Sequence, residues 1–424
     1  MRRSKFIIAL ILVIWFVISF VTNIIGPIMP ILIGTYELSL TMAAFLPFSM
    51  FLAYGIMSVP AGAIMEKYGE KMSMLIAFGL TFTGSFLFAL IPSYEIALPS
   101  LFIIGIGMAM LQVIINPLMR VAGGEEHFAF FSVLGQLVFG ASSFISPHVF
   151  KYLMHELSND AGNSNLFVYW LSRITPEDLP WSSLYWIFAF VFVLMILIIR
   201  FVKFPKVDLV EDEKPAAIEV YKGLLKKRNI IFFFLGIVTY VGTEQGIATW
   251  MSKFLMTYHD VNPEGAGASA VSWFWGLMSV GCLSGLVLLK ILDSKLVLRV
   301  FTVLAMFALG IALFGSTTLS LIAFPATGFF LSVMFSIIFS LALNSERKFH
   351  GAFSGILCSG ILGGALVPLV IGWLGDMVGL KMALLFLFIT LSYVFSISYW
   401  AKPLINNKTV RLKRKFKNSL YGTQ

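Results

Sequence analysis

Long apolar runs alternate with short polar interruptions along almost the whole chain. Crossing a hydrocarbon layer of about 30 Å takes about 20 apolar residues in helical form. Twelve stretches reach that length: 6 to 33, 41 to 65, 72 to 92, 97 to 119, 128 to 152, 183 to 204, 229 to 256, 268 to 291, 295 to 316, 318 to 344, 351 to 375 and 381 to 402. Backbone facing lipid must satisfy its own hydrogen bonds, and runs this long exceed barrel strands, so all twelve are predicted to be helices. The expected class is therefore an all-α polytopic membrane protein with twelve transmembrane helices. The run after "MRRSK" is too long for a secretory leader and lacks a small-residue cleavage pattern, so it is expected to stay as the first span, with no cleaved signal peptide.

The longest cytoplasmic interruption, "FPKVDLVEDEKPAAIEVYKGLLKKRN" from Phe204 to Asn229, is charged, carries two prolines and divides the spans six and six. This predicts an N-terminal six-helix bundle over 1 to 204, a flexible cytoplasmic linker over 205 to 228, a C-terminal six-helix bundle over 229 to 402 and a basic cytoplasmic tail over 403 to 424. Paired six-helix repeats are an architecture in which secondary transporters alternate access around a site near the bilayer midplane. The other long interruption, 153 to 182, reads as a solvated connector or as a partly ordered cap over the entrance.

Composition fits this picture, with 59% hydrophobic residues, 12% charged residues and 42 Phe in 424, well away from soluble domains. A net charge of +9 would suit nucleic acid, but the placement of the charges changes that reading. With a cytoplasmic N-terminus, 26 of the 30 Lys and Arg fall on the cytoplasmic side, and only Lys151, Arg173, Lys253 and Lys381 fall outside. The positive-inside rule accounts for the charge, so the expected surroundings are the lipid bilayer of the inner membrane, with both termini cytoplasmic and no nucleic-acid partner. Two cysteines, Cys282 and Cys358, are too few for a disulfide framework or a thiolate metal cluster. No nucleotide-binding loop, zinc pair or catalytic triad pattern occurs in the loops. A non-enzyme without resident cofactor or metal is expected, working as a monomer on an ion gradient or on the gradient of its cargo.

Of the 21 acidic residues only Glu244, in "YVGTEQGIATW", lies well inside a span. A helix starting near Asn229 places it roughly 22 Å from the cytoplasmic end. An intramembrane carboxylate is costly unless paired, protonated or facing water, which makes it a functional candidate; the alternative is a structural bond to a neighbouring helix. Gln245 and Trp250 extend the group with an amide and an indole, a combination suited to hydroxyls and a sugar's C–H face. Trp250 suits an interfacial belt equally well. In "LQVIINPL", Gln112 and Asn116 share one helix face and Pro117 frees a carbonyl, so this face either lines a cavity or bonds to another helix. Gln136 and Asn23 are further single amides within spans. Trp273 and Trp275 read as interfacial anchors, and His148 as an exposed rim residue.

Several stretches in order resemble the major facilitator superfamily, and within it the fucose:proton symporter branch of sugar transporters. "VPAGAIMEKYGEK" is similar to the second-span motif and its cytoplasmic loop signature, with Gly62, Glu66, Lys67, Gly69 and Lys71 as gating and loop positions and Glu66 where aspartate is common. "LQVIINPL", "YVGTEQGIATW", "FSIIFSLALNS" and "SGILGGALVPLVIGWLGD" resemble the fourth, seventh, tenth and eleventh spans. The resemblance implies alternating-access transport of a monosaccharide such as fucose, glucose or galactose. It also implies a first-span aspartate and a fourth-span glutamate as proton carriers, yet the matching positions are Gly26 and Gln112, neither ionisable. A fifth-span asparagine matches Phe139, and an eighth-span arginine matches Cys282. Substrate contacts are expected from Asn23, Gln112, Asn116, Gln136, Gln245 and Trp250, with Glu244 as the coupling-ion residue. Proton coupling at Glu244, sodium coupling there, and uncoupled facilitation all stay open. An exporter of drugs or amphipathic metabolites is the rival reading.

Overall fold

The structure, a computed structural model, describes residues 5–123, 128–158, 166–204, 218–346 and 349–404. Among them every regular element is helical and no strand occurs. Residues 205–217 of the linker, the tail from 405, Arg2, Arg3 and the Arg347/Lys348 pair lie outside the described residues.

The predicted first span is two helices, α1 Lys5–Thr22 and α2 Ile25–Tyr36. Pro27 has no N–H to offer the Asn23 carbonyl four residues earlier, and the break falls at Asn23 and Ile24. The second and third predicted spans are one continuous stretch, α3 Leu40–Leu90, 51 residues long and interrupted at Gly69 (φ 76°, ψ 167°). Glycine adopts that positive φ without a Cβ penalty, and the chain doubles back there. The Tyr94 hydroxyl, just beyond α3, donates to the Met42 carbonyl near its start (2.8 Å).

Then follow α4 Tyr94–Gly123, α5 Phe128–Ser158, the short α6 Leu166–Ile174 and α7 Ser183–Phe201. Past the linker come α8 Ile218–Leu225, α9 Arg228–His259, α10 Ala268–Ile291 and α11 Ser294–Phe314. The tenth predicted span is split into α12 Thr317–Leu331 and α13 Met334–Leu343, the eleventh into α14 His350–Ser359 and α15 Gly363–Val378. At both breaks a serine hydroxyl donates to a carbonyl three residues earlier, Ser332 to Phe329 and Ser359 to Ile356 (2.7 Å each), offering the backbone an alternative to the helix ladder. The last predicted span is α16 Leu380–Ala383 and α17 Phe386–Trp400.

Ten of these stretches are long and apolar enough to cross a membrane by length and composition, the doubled-back α3 counted as one. Two of the interruptions carry short helices of their own. The 153 to 182 connector contains α6, and the linker ends in α8, which packs on α9 and α14. Amphipathic segments of eight or nine residues are too short to stand out beside spans of twenty.

The molecule has a near end, where α1 begins and α7 and α17 finish, and a far end, where α2 gives way to α3 and α15 to α16. Before the linker, α3 packs on α4 and α7, and α1 on α4 and α5; after it, α9 packs on α15 and α17, and α12 on α10 and α11. Small residues permit the close approaches: a Cβ on Gly105 of α4 would lie 2.9 Å from the Ala53 Cβ of α3. The two groups of helices meet mainly through α3 with α15, α5 with α10 and α2 with α9.

Candidate functional site

Between the two groups of helices lies a cavity of about 420 Å³, within the roughly 300–1,000 Å³ of small-molecule sites. Trp15, Asn23, Gln112 and Gln136 line it from one side, and Tyr240, Glu244, Gln245, Trp275 and Cys282 from the other. On α10 the lining runs from Trp275 down to Leu289, two residues short of that helix's near end. The cavity therefore reaches toward the near end.

Glu244 is half-buried in the wall. Tyr240, one helical turn earlier on the same face, donates its hydroxyl to Oε2 (2.7 Å), and Gln245 Nε2 donates to Oε1 (3.2 Å). Each carboxylate oxygen thus accepts from a neutral donor, and among the described residues no cation pairs with Glu244. Nor do they include three His, Cys, Asp or Glu grouped to hold a metal ion.

The opposite wall is tied by a serine ladder. Asn23 Nδ2 donates to Ser143 Oγ (2.8 Å), and Ser19 Oγ bonds the same hydroxyl (2.6 Å). Asn23 Oδ1 is buried without a hydrogen-bond partner, as are the indole N–H groups of Trp15 and Trp275. A buried polar atom left unpaired costs about 1–3 kcal/mol, so three such atoms around one cavity leave hydrogen-bonding capacity there unspent. Aromatic surface completes it: Trp15 meets Phe139 edge-on with ring centroids 5.9 Å apart.

Asn23, Gln112, Gln136, Glu244 and Gln245 all line the cavity. The Asn116 side chain lies outside the described residues, although its backbone continues α4. Trp250 is placed elsewhere: fully buried, it donates its Nε1 to the Pro368 carbonyl (3.1 Å) and joins α9 to α15. Trp275, read from the sequence as an interfacial anchor, is buried and lines the cavity, while its neighbour Trp273 is exposed. Tyr240 and Trp15 are additional lining residues that sequence reasoning missed. Tyr240 was legible from its four-residue spacing to Glu244; nothing marked Trp15 among so many aromatic residues.

Gly26 holds a further surprise. A Cβ there would come within 3.1 Å of the Ala248 carbonyl carbon and overlap its oxygen, so α2 and α9 touch backbone to backbone. No side chain fits that position in this conformation, ionisable or not.

At the near end the loop motif is a clamp. Gly69 makes the turn, and Lys71 Nζ donates to the Arg200 and Val202 carbonyls (2.7 and 2.9 Å), capping the end of α7. Lys67 lies over the Tyr68 ring (5.1 Å), Glu66 is exposed, and a Cβ on Gly62 would meet nothing within 4 Å.

Residues 11–357 match the family model of the major facilitator superfamily. The chain belongs to that superfamily. Its members are transporters rather than enzymes, in keeping with a multi-span helical bundle around a central cavity. A glucose/galactose transporter of Brucella abortus is 28% identical over 389 residues, covering 90% of each chain. The L-fucose-proton symporter of Escherichia coli is 24% identical, covering 88% of this chain and 87% of its own. Among solved structures, the E. coli fucose:proton symporter aligns with a TM-score of 0.67 over 95% of this chain and all of its own, at 21% identity. An inward-facing bacterial homologue of the human lysosomal transporter Spinster aligns with a TM-score of 0.75 over 93% of this chain and 98% of its own, at 17% identity.

Proposed function

We propose that the protein carries a monosaccharide, of the glucose, galactose or fucose kind, across the cytoplasmic membrane by alternating access, coupled to a cation through Glu244. The observation that carries this reading is the cavity itself, in which amides, indoles and one membrane-embedded carboxylate converge from two groups of helices. Hydroxyl-rich rings need such paired donors and acceptors, and aromatic faces suit their C–H surfaces. The relatives described as glucose/galactose transporters and fucose-proton symporters support the same cargo class.

On this reading α3 counts as two passes and α5 as one, which makes twelve spans, six on each side of the linker, and Lys5 and Trp400, the outer ends of the first and last helices, lie at the near end. The excess of Lys and Arg makes that end cytoplasmic, so the cavity reaches toward the cytoplasm. The two groups rock as bodies 1 to 204 and 229 to 402, and the monomer is the working unit. Asn23, Gln112, Gln136 and Gln245 contact the sugar; Asn116, four residues beyond Gln112 in the sequence, is proposed as a further contact on that spacing alone.

Coupling rests on Glu244 because the other two positions are silent. Gly26 and Gln112 carry no ionisable group, and Gly26 leaves no room for one. A proton or a sodium ion would each reside at Glu244, the proton on a carboxylate oxygen, the sodium ion among that carboxylate, the Tyr240 oxygen and the Gln245 amide oxygen. The test is accumulation of labelled glucose, galactose and fucose in proteoliposomes under imposed proton or sodium gradients. Glu244→Gln is expected to abolish gradient-driven accumulation while leaving sugar exchange at equal concentrations measurable. Undiminished accumulation removes Glu244 from coupling, and equal uptake with and without either gradient makes the protein a facilitator.

A further inference from the structure

We infer that Asp376 latches the far end of the transporter shut, and so sets how much of the protein faces the near end. Asp376 lies in the last turn of α15, on the far side of the linker from α3, and its side chain reaches the first turn of α3. Its Oδ1 accepts from the Leu40 N–H (2.8 Å), and its Oδ2 accepts from the Thr41 N–H and hydroxyl (2.8 and 2.5 Å).

The first N–H groups of a helix have no partner within it, and at the start of α3 those of Leu40, Thr41 and Met42 all go to side-chain oxygens, ahead of the first ladder bond from Ala43. Met42 N–H goes to the Ser39 hydroxyl (3.2 Å), and Ala43 N–H to the Ser39 carbonyl (3.0 Å). The other two go to Asp376. Two of those three side-chain caps are therefore supplied by a residue more than three hundred positions away in the other group of helices.

The position of Asp376 makes little sense in its own helix. An acid in the last turn faces the negative end of the dipole, where cations are favoured. Opposite the positive end of α3 the same charge is stabilised. The neighbouring glycines shape the approach: a Cβ on Gly372 would sit 2.6 Å from the Leu40 oxygen and 2.8 Å from the Ala44 Cβ, and one on Gly375 2.7 Å from Leu40 Cδ1. Gly372, Gly375 and Asp376 thus form one surface fitted to residues 39 to 44.

Any conformation open at the far end must part α3 from α15 and break these three bonds together. Closure at this end is reinforced by α5 and α10, where Ser272 bonds His148 Nδ1 (2.8 Å) and donates to the Phe144 carbonyl. That contact is one hydroxyl between an imidazole nitrogen and a carbonyl, whereas Asp376 brings a carboxylate to a helix dipole through three bonds, so Asp376 is the stronger determinant. The inference rests on the alternating-access reading and is independent of the cargo.

The test is a distance distribution between spin labels on cysteines at Leu90 and Leu319, both exposed at the far end, one from each group. Cys282 and Cys358 are first replaced by Ala, and the protein is held in nanodiscs. The Asp376→Ala variant is expected to enlarge the long-distance, far-end-open population about five-fold, the typical worth of a helix N-cap. Asp376→Asn, which keeps one acceptor, is expected to fall between Ala and the unaltered protein. Gly372→Leu, which wedges α15 off α3 without touching the carboxylate, is expected to shift the population in the same direction and covers the case in which Asp376→Ala does not fold. Unchanged distances in the Asp376 variants, or in Gly372→Leu where Asp376→Ala fails, overturn the latch. So does faster amide exchange at Leu40 and Thr41 without a distance change, which makes the cap a local ornament. Because the distance measurement uses no sugar, failure of the sugar assignment in the uptake experiment leaves this result standing.

Discussion

Two positions, Gly26 and Gln112, separate this chain from the pair of proton carriers that its resemblance implies, and they differ in kind. The position matched to a proton-carrying aspartate is Gly26, and its backbone rests on the Ala248 carbonyl. Restoring the acid is therefore not a simple gain of function. Gly26→Asp, and even Gly26→Ala, forces α2 away from α9, at a cost of about 1–3 kcal/mol typical of overpacking. Both variants are expected to lower thermal stability in detergent and neither to add a second coupling site. Gln112→Glu is the contrasting case, because Gln112 lines the cavity where a carboxylate has room; it is expected to keep near-native stability. A stable Gly26→Asp protein with steeper proton-driven uptake would show that α2 and α9 part freely. Glu244 could be picked out from the sequence because a lone acid in a span is conspicuous. Trp15, Trp275 and the lack of space at Gly26 could not, since indoles are common in this chain and space depends on a helix hundreds of residues away.

Among the elements, the long apolar helices were readable and their interruptions were not. Length and hydropathy mark twenty apolar residues, whereas a break depends on single groups: Pro27 against the Asn23 carbonyl, or the Ser332 and Ser359 hydroxyls against their own helices. The nine residues of α6 escaped notice for a related reason. Leu166, Phe167, Trp170 and Ile174 are all exposed, and at about 100° per residue they fall within an arc of about 100°. Val168 and Leu171, on the neighbouring arc, are buried, and α6 packs on α5 and α7. An apolar stripe of this kind at the far end of two spans belongs in the headgroup layer, where Trp anchors favourably. An environment-sensitive fluorophore on a cysteine at Phe167 is expected to show blue-shifted emission in nanodiscs, and the same probe at Ser172 to report water. Equal, water-like emission at both sites would mean that α6 stands clear of the lipid.

For the whole molecule the consequence is asymmetry. Contacts between the two groups of helices gather toward the far end, at Asp376 with Leu40 and Thr41 and at Ser272 with His148, while the cavity runs along α10 to Leu289. In the orientation proposed above, such a shape exposes cavity groups to the cytoplasmic side. Cys282 lies in that wall, its thiol 3.4 Å from the Ser332 carbonyl, and Cys358 can be replaced by Ala to leave it as the sole thiol. A membrane-impermeant maleimide is expected to label Cys282 at least about ten-fold faster in inside-out vesicles than in right-side-out ones, a ratio set by about 1.4 kcal/mol between the two facing states. Bound sugar is expected to slow labelling from the cytoplasmic side, because the ligand would occupy the same wall. Asp376→Ala is expected to narrow the ratio by speeding labelling from outside. Equal rates from both sides in the unaltered protein would mean that the far-end contacts do not hold the cavity shut. A ratio that survives Asp376→Ala unchanged would assign closure to the α5 and α10 contact instead.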